Sequence, residues 1–211
     1  MDYEQIVRDL RAIPNRKTAD IDRYNKTLIR AKEDVSGLRD YALSDQLVHR
    51  TYFQVSLAYC ETAAEQFRFI EENEDLLQDW WHVDQLTQFI KKPVDFDFAY
   101  EKAKKYVLSP KAFTRRWGYV LFLTGLQKDG AHTKDILRLM HDDKEYYVQM
   151  AQGWLICDLA VFNPEVVYDF LKESALHYNI LGKAIQKISD SFRFTGEQKD
   201  KFMALREGLR E

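Results

Sequence analysis

The residues with the clearest capacity for chemistry lie in the segment Asp79-Trp-Trp-His-Val-Asp84. On a helix, Trp80 and Asp84 are one turn apart, and their side chains project about 40° from each other. Trp80 would lie within an apolar stripe and Asp84 at its edge, where a partly desolvated carboxylate acts on a nearby cation more strongly than in water. The pattern therefore indicates a place that stabilises positive charge. The alternative is that Trp80 is a core residue and that Asp84 caps a helix or pairs with a surface lysine.

A second candidate is the basic segment 111–117, which contains Lys111, Arg115 and Arg116. Between residues 101 and 116 six basic residues accompany one acid, whereas the whole chain has a net charge of −3. A local basic surface of this kind binds phosphates even in an acidic protein. Three more basic residues extend the pattern: Lys183, Lys187 and Arg193.

The third candidate is Trp154, which follows Gly153. A glycine inside a helix lowers helix propensity by about 1 kcal/mol, so close packing or function has to compensate for it. A core position for Trp154 is the alternative interpretation. For Arg116, the corresponding alternative is a structural bridge between adjacent helices through Asp142 or Asp143.

The composition excludes several classes of protein. A chain of 211 residues with 45% apolar and 14% aromatic residues folds rather than staying disordered. Two cysteines do not make a disulfide scaffold and favour a reducing compartment. No stretch approaches the roughly 18 apolar residues of a membrane span, and the first residues do not form a secretory signal, so we expect a cytoplasmic protein. The sequence has neither a glycine-rich phosphate loop nor metal-ligand spacing among its histidines, so we expect no cofactor and no metal.

The elements that position these candidates are predicted to be helices. Only four prolines and eight glycines occur, and no run alternates apolar and polar residues as strands do. Helical periodicity is present in Ala63, Phe67 and Ile70, in Leu76, Trp80, Val83 and Ile90, in Trp117, Val120, Leu121 and Thr124, and in Ala184, Ile185 and Ile188. We expect helices of about 10 to 16 residues. Their boundaries are predicted at Pro93, Ser109-Pro110, Lys128-Asp-Gly130 and Asn163-Pro164.

A shift of 34 residues superposes the apolar positions of three later helices. It places Phe113 on Tyr147 and Leu181, Trp117 on Ala151 and Ile185, and Val120 on Trp154 and Ile188. Recurring helix pairs stack into a superhelix. The fold class predicted is therefore all-α, a single HEAT-like helical-repeat α-solenoid over residues 1–211, with its function on the concave face. Chance similarity between amphipathic helices is the alternative explanation of the repeat.

Taken together and in this order, the candidate segments resemble the DNA alkylation repair family of AlkD-like, HEAT-repeat alkylpurine DNA glycosylases. The resemblance covers roughly residues 35–206. The matching segments are Leu38-Arg39 with Ala42, Asp79-Trp-Trp-His-Val-Asp84, Ser109-Pro-Lys-Ala-Phe-Thr-Arg-Arg-Trp-Gly-Tyr-Val120, Tyr146-Tyr-Val-Gln-Met-Ala-Gln-Gly-Trp154 and Lys183-Ala-Ile-Gln-Lys-Ile-Ser-Asp-Ser-Phe-Arg193. Each segment alone is a weak match, but the set with its intervals is specific.

The resemblance implies a base-excision repair enzyme that hydrolyses the N-glycosidic bond of cationic alkylpurines, such as 3-methyladenine and 7-methylguanine, in duplex DNA without base flipping. It maps the family's catalytic carboxylate onto Asp84, its partner tryptophan onto Trp80 and its second tryptophan at the lesion onto Trp154. The family's DNA-contacting arginine maps onto Arg116. The other basic residues expected to bind DNA are Arg115, Lys111, Lys183 and Lys187.

This chemistry needs few groups, because a cationic alkylpurine leaves without being protonated and one carboxylate stabilises the oxocarbenium-like sugar. We expect a monomer whose partner is double-stranded DNA containing alkylated purines, and no membrane association. Two other functions stay open. One is a non-catalytic module that binds damaged or branched DNA, and the other is a scaffold that binds a protein through its concave face. The net charge of −3 keeps the scaffold open, because DNA-binding domains are usually basic.

Overall fold

The structure, a computed structural model, describes residues 3–14, 17–128 and 130–209. These residues form thirteen α-helices and short 3-10 segments, and no strand occurs among them. The predicted all-helical class is therefore confirmed. The chain divides into two compact units, residues 1–93 and 94–211, so the interpretation as one domain stays a prediction. Within the described ranges, no helix is long and apolar enough to cross a membrane.

The described residues of the first unit include six α-helices and two complete 3-10 segments. The helices are α1 (Tyr3–Ala12), α2 (Thr18–Ala31), α3 (Gln46–Tyr59), α4 (Ala63–Glu72), α5 (Trp80–Asp84) and α6 (Leu86–Phe89), and the 3-10 segments are Ser36–Tyr41 and Glu74–Leu76. Helix α3 packs against α1, α2 and α6. It begins after Asp45, whose side chain accepts a hydrogen bond from the Leu47 N–H and so caps the helix.

The segment from Leu76 to Ile90 is not the single helix that its periodicity predicts, because it is divided between the second 3-10 segment, α5 and α6. The Asp79 side chain accepts a hydrogen bond of 2.7 Å from the Trp80 N–H and starts a new helix there. The new start places Val83 in the core, whereas Trp80 is 44% exposed and lies outside it. The Trp80 ring is therefore available to a ligand.

The second unit is arranged around the long helix α10. Its helices are α7 (Phe96–Tyr106), α8 (Ala112–Val120), α9 (Thr133–Leu137), α10 (Tyr146–Phe162), α11 (Pro164–Glu173), α12 (Tyr178–Asp190) and α13 (Gly196–Gly208), with a 3-10 segment at Leu121–Thr124. Helix α10 packs against α8, α11 and α12. Helix α7 packs against α8, and α13 packs against α12.

The predicted helix boundaries are found where the described residues test them. Residues 90–95 separate α6 from α7 around Pro93, and α8 begins two residues after Pro110. Asn163 separates α10 from α11, whose first residue is Pro164. The boundary predicted at Lys128-Asp-Gly130 includes Asp129, which lies outside the described residues, and Gly130 has a φ of +72° that favours glycine.

Contacts at a separation close to 34 residues recur within each unit. In the second unit, one helical position of the 34-residue shift is buried in all three helices, namely Trp117, Ala151 and Ile185. Hydrogen bonds with the same separation join Arg11 to Asp45 and Arg39 to Asn73 in the first unit. The Gln152 amide donates to the Tyr119 hydroxyl across 33 residues in the second. Helices one period apart are thus neighbours inside each unit.

Candidate active site

Trp80 and Asp84 line the same open cleft in the first unit, which has a volume of about 360 Å³. Asp84 is half-buried at the last residue of α5, and Trp80 is the first residue of this helix. The other lining residues come from α2, α3, α5 and the start and end of α6, and they are Thr18, Ile21, Gln46, Leu47, Arg50, Trp81, Gln85 and Gln88. The cleft therefore combines two indole rings with a carboxylate, as an electrostatic site for a cation requires.

Helix α5 is anchored on a stack of two buried histidine rings. His82 of α5 lies on His49 of α3 with ring centroids 3.8 Å apart and planes 10° apart. The Nδ1 atom of His82 accepts a hydrogen bond of 3.0 Å from the Gln78 N–H. Trp81 contacts both rings edge-on, with centroids 5.1 Å from His49 and 4.0 Å from His82. The stack fixes the orientation of the helix that carries Trp80 and Asp84.

Both histidines of the stack are neutral near pH 7. Burial, together with the charge that His82 would carry, lowers the pKa of His49 to about 3. Burial also lowers the pKa of His82 to about 4. The neutral form of His49 fits its partners, because Nδ1 accepts from the Gln85 amide at 2.9 Å while Nε2 donates to the Leu76 carbonyl at 3.1 Å. Gln85, the residue after Asp84, is thereby fixed as well.

Arg50 is the cation in the cleft lining, and it is held by an ion pair. Its guanidinium donates two hydrogen bonds, of 2.9 and 3.0 Å, to the two carboxylate oxygens of Asp22 on α2. It also donates to the side-chain oxygens of Gln85 and Gln88 and lies 4.8 Å from the Phe89 ring centroid. Arg50 therefore joins α2 and α3 to the residues that follow Asp84. Counted together, Arg50, Asp22 and Asp84 carry a net negative charge.

The two candidate arginines of the second unit connect α8 to the start of α10. Arg115 donates to both carboxylate oxygens of Asp143 at 2.5 and 3.1 Å. Burial raises the pKa of Asp143, but the hydrogen bonds from Arg115 and the Glu145 N–H outweigh it and hold that pKa below its ordinary value. Arg116 is only 4% exposed, and its guanidinium donates to the Tyr147 carbonyl. Each arginine thus has a structural role between neighbouring helices.

Gly153 lies where α10 and α12 approach closely. A Cβ atom at this position would lie 3.0 Å from Lys183 Cβ and 3.2 Å from the Ala184 nitrogen. Packing therefore explains the glycine. The next residue, Trp154, is half-buried, although the equivalent positions of the 34-residue shift, Val120 and Ile188, are fully buried.

The remaining lysine candidates also lie in the second unit. Lys111 is exposed before α8, whereas Lys183 and Lys187 are half-buried on α12. The Lys183 ammonium lies 4.4 Å from the ring centroid of Tyr146, the first residue of α10. The structure thus places Trp80 and Asp84 together in the first unit, and Trp154 with the basic candidates in the second.

Sequence reasoning missed the support of the cleft. Neither Arg50 nor the pair of His49 and His82 stands out in the sequence, because their partners are far along the chain. A signal was present in α3, where His49 and Arg50 are adjacent within a helix that has no other basic or acidic residue. Buried polar residues of this kind need partners, but the sequence does not say which.

A family model matches most of the chain. The sequence model of the DNA alkylation repair enzyme family matches residues 12–188, a range that covers most of both units and includes Trp80, Asp84, Arg116 and Trp154. Searches of curated proteins and of solved structures found no match. Because the family match extends over most of its length, the chain belongs to the DNA alkylation repair enzyme family.

Proposed function

We propose that the protein is a DNA glycosylase that releases cationic alkylpurines from duplex DNA, with Asp84 as its catalytic carboxylate. The observation that carries the proposal is the cleft in which Asp84 and the exposed Trp80 share one short helix. A carboxylate and an indole face both attract a cationic base more strongly than the neutral purine that leaves. Membership of the family supports action on alkylated DNA.

In this reaction the bond between the purine nitrogen and C1′ of the sugar breaks. Its electron pair neutralises the positively charged base, which leaves without a general acid. The Asp84 carboxylate stabilises the oxocarbenium-like sugar and orients a water molecule, whose oxygen forms the new bond to C1′ while its proton is lost to Asp84 or to solvent. Trp80 contacts the charged nucleotide with its indole face at the surface, and we propose that the lesion reacts without base flipping.

We propose that the second unit binds the DNA around the lesion. Lys111, Lys183 and Lys187 would contact phosphates, and Trp154 would contact the nucleotide on the side of the lesion. We also propose that Arg115 and Arg116, which hold Asp143 and the Tyr147 carbonyl at the start of α10, contact the DNA backbone. A HEAT-like α-solenoid with a concave DNA-binding face is part of this proposal, and the contacts near 34 residues support it.

The test is the release of free 7-methylguanine from a duplex by the parent protein and by Asp84→Asn. We expect Asp84→Asn to lower release at least a hundredfold, because it removes the charge that stabilises the transition state, and to leave duplex affinity within about twofold. Asp40→Asn is the matched control, because Asp40 is an exposed acid of the same unit outside the cleft lining. Equal activity of Asp84→Asn and the parent would refute the assignment.

A non-catalytic DNA-binding module is the second candidate. This candidate is favoured by the exposed Tyr146 and Tyr147 at the start of α10 and by Lys183 and Lys187 on α12. These residues belong to a different unit from Asp84, so they could bind a DNA strand whether or not Asp84 is catalytic. The same assay separates the two functions. Salt-sensitive binding of the duplex by the parent protein with no released base would support the module.

A further inference from the structure

We propose that three aromatic side chains of the second unit, Phe113, Tyr147 and Tyr146, form a row on which unpaired nucleotides of DNA stack. We call these three residues the aromatic row. The ring centroids of Phe113 and Tyr147 are 6.0 Å apart, and those of Tyr147 and Tyr146 are 5.3 Å apart. The row therefore continues from α8 to the first turn of α10. The inference rests on the proposed function in that DNA is the ligand, and it adds a second contact that does not involve Asp84.

Two of the three rings, those of Tyr146 and Tyr147, are exposed and do not serve the core, whereas Phe113 is half-buried. Tyr146 is 56% exposed and Tyr147 is 41% exposed, although a tyrosine ring gains free energy from burial. Single exposed aromatic residues are common, whereas adjacent ones form a patch that usually has a partner. The two tyrosine rings meet edge to face at 79°, so their contact covers a face of only one of them.

The charge beside the row selects the kind of partner. Lys183 lies over the Tyr146 ring at 4.4 Å, and Lys111 and Lys144 are exposed at the starts of α8 and α10. Of the nearby acids, Asp143 is bound to Arg115, and Asp142 accepts a hydrogen bond from the His177 N–H. Asp142 and Glu145 are the remaining acids in this segment, because a backbone N–H does not neutralise a carboxylate. Lysines around aromatic faces are the combination by which proteins bind single-stranded DNA, since phosphates meet the cations and bases meet the rings.

A blunt duplex cannot use the row in this way, because its bases are stacked on each other. The unpaired strand could be an overhang, a gap or a branched junction, all of which present the same open base faces. The proposal therefore predicts a preference that backbone binding by lysines alone does not produce: DNA with unpaired bases gains affinity from the row, and a blunt duplex gains little.

The test is a set of fluorescence anisotropy titrations with a labelled oligodeoxythymidylate of about 12 nucleotides and with a blunt duplex. The double variant Tyr146→Leu/Tyr147→Leu keeps the apolar character but removes the aromatic faces, and we expect it to bind the oligonucleotide about tenfold more weakly or worse. Tyr146→Phe/Tyr147→Phe keeps the faces and should bind within about twofold of the parent. Phe192→Leu, at an exposed phenylalanine of the same unit, is the matched control and should leave affinity unchanged.

Three results would overturn the inference. In the first, the parent does not bind the oligonucleotide. In the second, the double leucine variant binds it as well as the parent does. In the third, the double phenylalanine variant loses as much affinity as the double leucine variant, which would assign the effect to the hydroxyls. If the double leucine variant does not fold, Tyr146→Leu alone serves instead, with an expected loss of oligonucleotide affinity of about fivefold or more. Base release is measured separately on blunt duplex. If the double leucine variant loses oligonucleotide binding but the parent protein releases no base, the glycosylase alone is refuted. If the parent protein releases base but the double leucine variant binds the oligonucleotide as the parent does, the aromatic row alone is refuted.

Discussion

The histidine stack beneath α5 should make the folded protein sensitive to mild acid. His49 and His82 have pKa values of about 3 and about 4 in the folded protein, against an ordinary value of 6.5. Between these limits the unfolded chain binds protons that the folded chain does not, so the free energy of unfolding decreases as the pH falls below 6.5. At pH 5 each histidine should lower the free energy of unfolding by about 2 kcal/mol relative to neutral pH, and the pair should lower it by about 4 kcal/mol. Above pH 7 the two histidines are unprotonated in both the folded and the unfolded chain, so they no longer make the free energy of unfolding depend on pH.

Urea unfolding at pH 8, 7 and 5, followed by circular dichroism, measures this dependence. We expect little change between pH 8 and 7 and a large decrease in the free energy of unfolding at pH 5. His82→Phe keeps an aromatic ring in the stack but cannot be protonated. It should be less stable than the parent at pH 7 because the Gln78 N–H loses its acceptor, yet about half of the decrease between pH 7 and 5 should disappear. An unchanged decrease in this variant would refute the assignment of the acid sensitivity to the stack.

Two further substitutions test the packing of helices, one in each unit, and both are measured by urea unfolding at pH 7. Asp22→Asn leaves the guanidinium of Arg50 without its ion pair and should lower the free energy of unfolding by about 3 kcal/mol, whereas a loss below about 0.5 kcal/mol would show that the pair does not hold α2 to α3. Gly153→Ala should lower the free energy of unfolding by about 1 kcal/mol. The new Cβ would be too close to Lys183, and the cost of this contact exceeds the gain in helix propensity. Gly196→Ala is the control, since no atom lies near its Cβ, and it should be neutral or stabilising.

The sequence predicted the helical class well because the signals for it are local. Apolar periodicity gave α4, α8 and α12, and the Asn163-Pro164 pair marked the end of one helix and the start of the next. The helices that the 34-residue shift superposes, α8, α10 and α12, pack in that order in the second unit, whereas the solenoid stays a prediction. These features depend on residues within a few turns of each other or on a regular period.

The division of the segment from Leu76 to Ile90 could not be predicted in the same way. Its apolar residues fit one helix, but the Asp79 cap starts a new helix and the Leu76 carbonyl and Gln85 are held by His49 of α3. Partners more than twenty residues away therefore outweigh the local period. The same reason applies to Trp80, which periodicity places in the core and which is exposed because α5 begins with it.

The contacts of α3 with the residues around α5 also suit Asp84 for its proposed role. A single carboxylate is selective for a cationic base only if the groups around it add no competing positive charge. The two histidines of the stack under α5 are neutral near pH 7, because burial lowers the pKa of both. Arg50 lines the same cleft as Asp84, and its charge is matched by Asp22. The groups that fix α5 in place are therefore also arranged so that they do not oppose the field of Asp84.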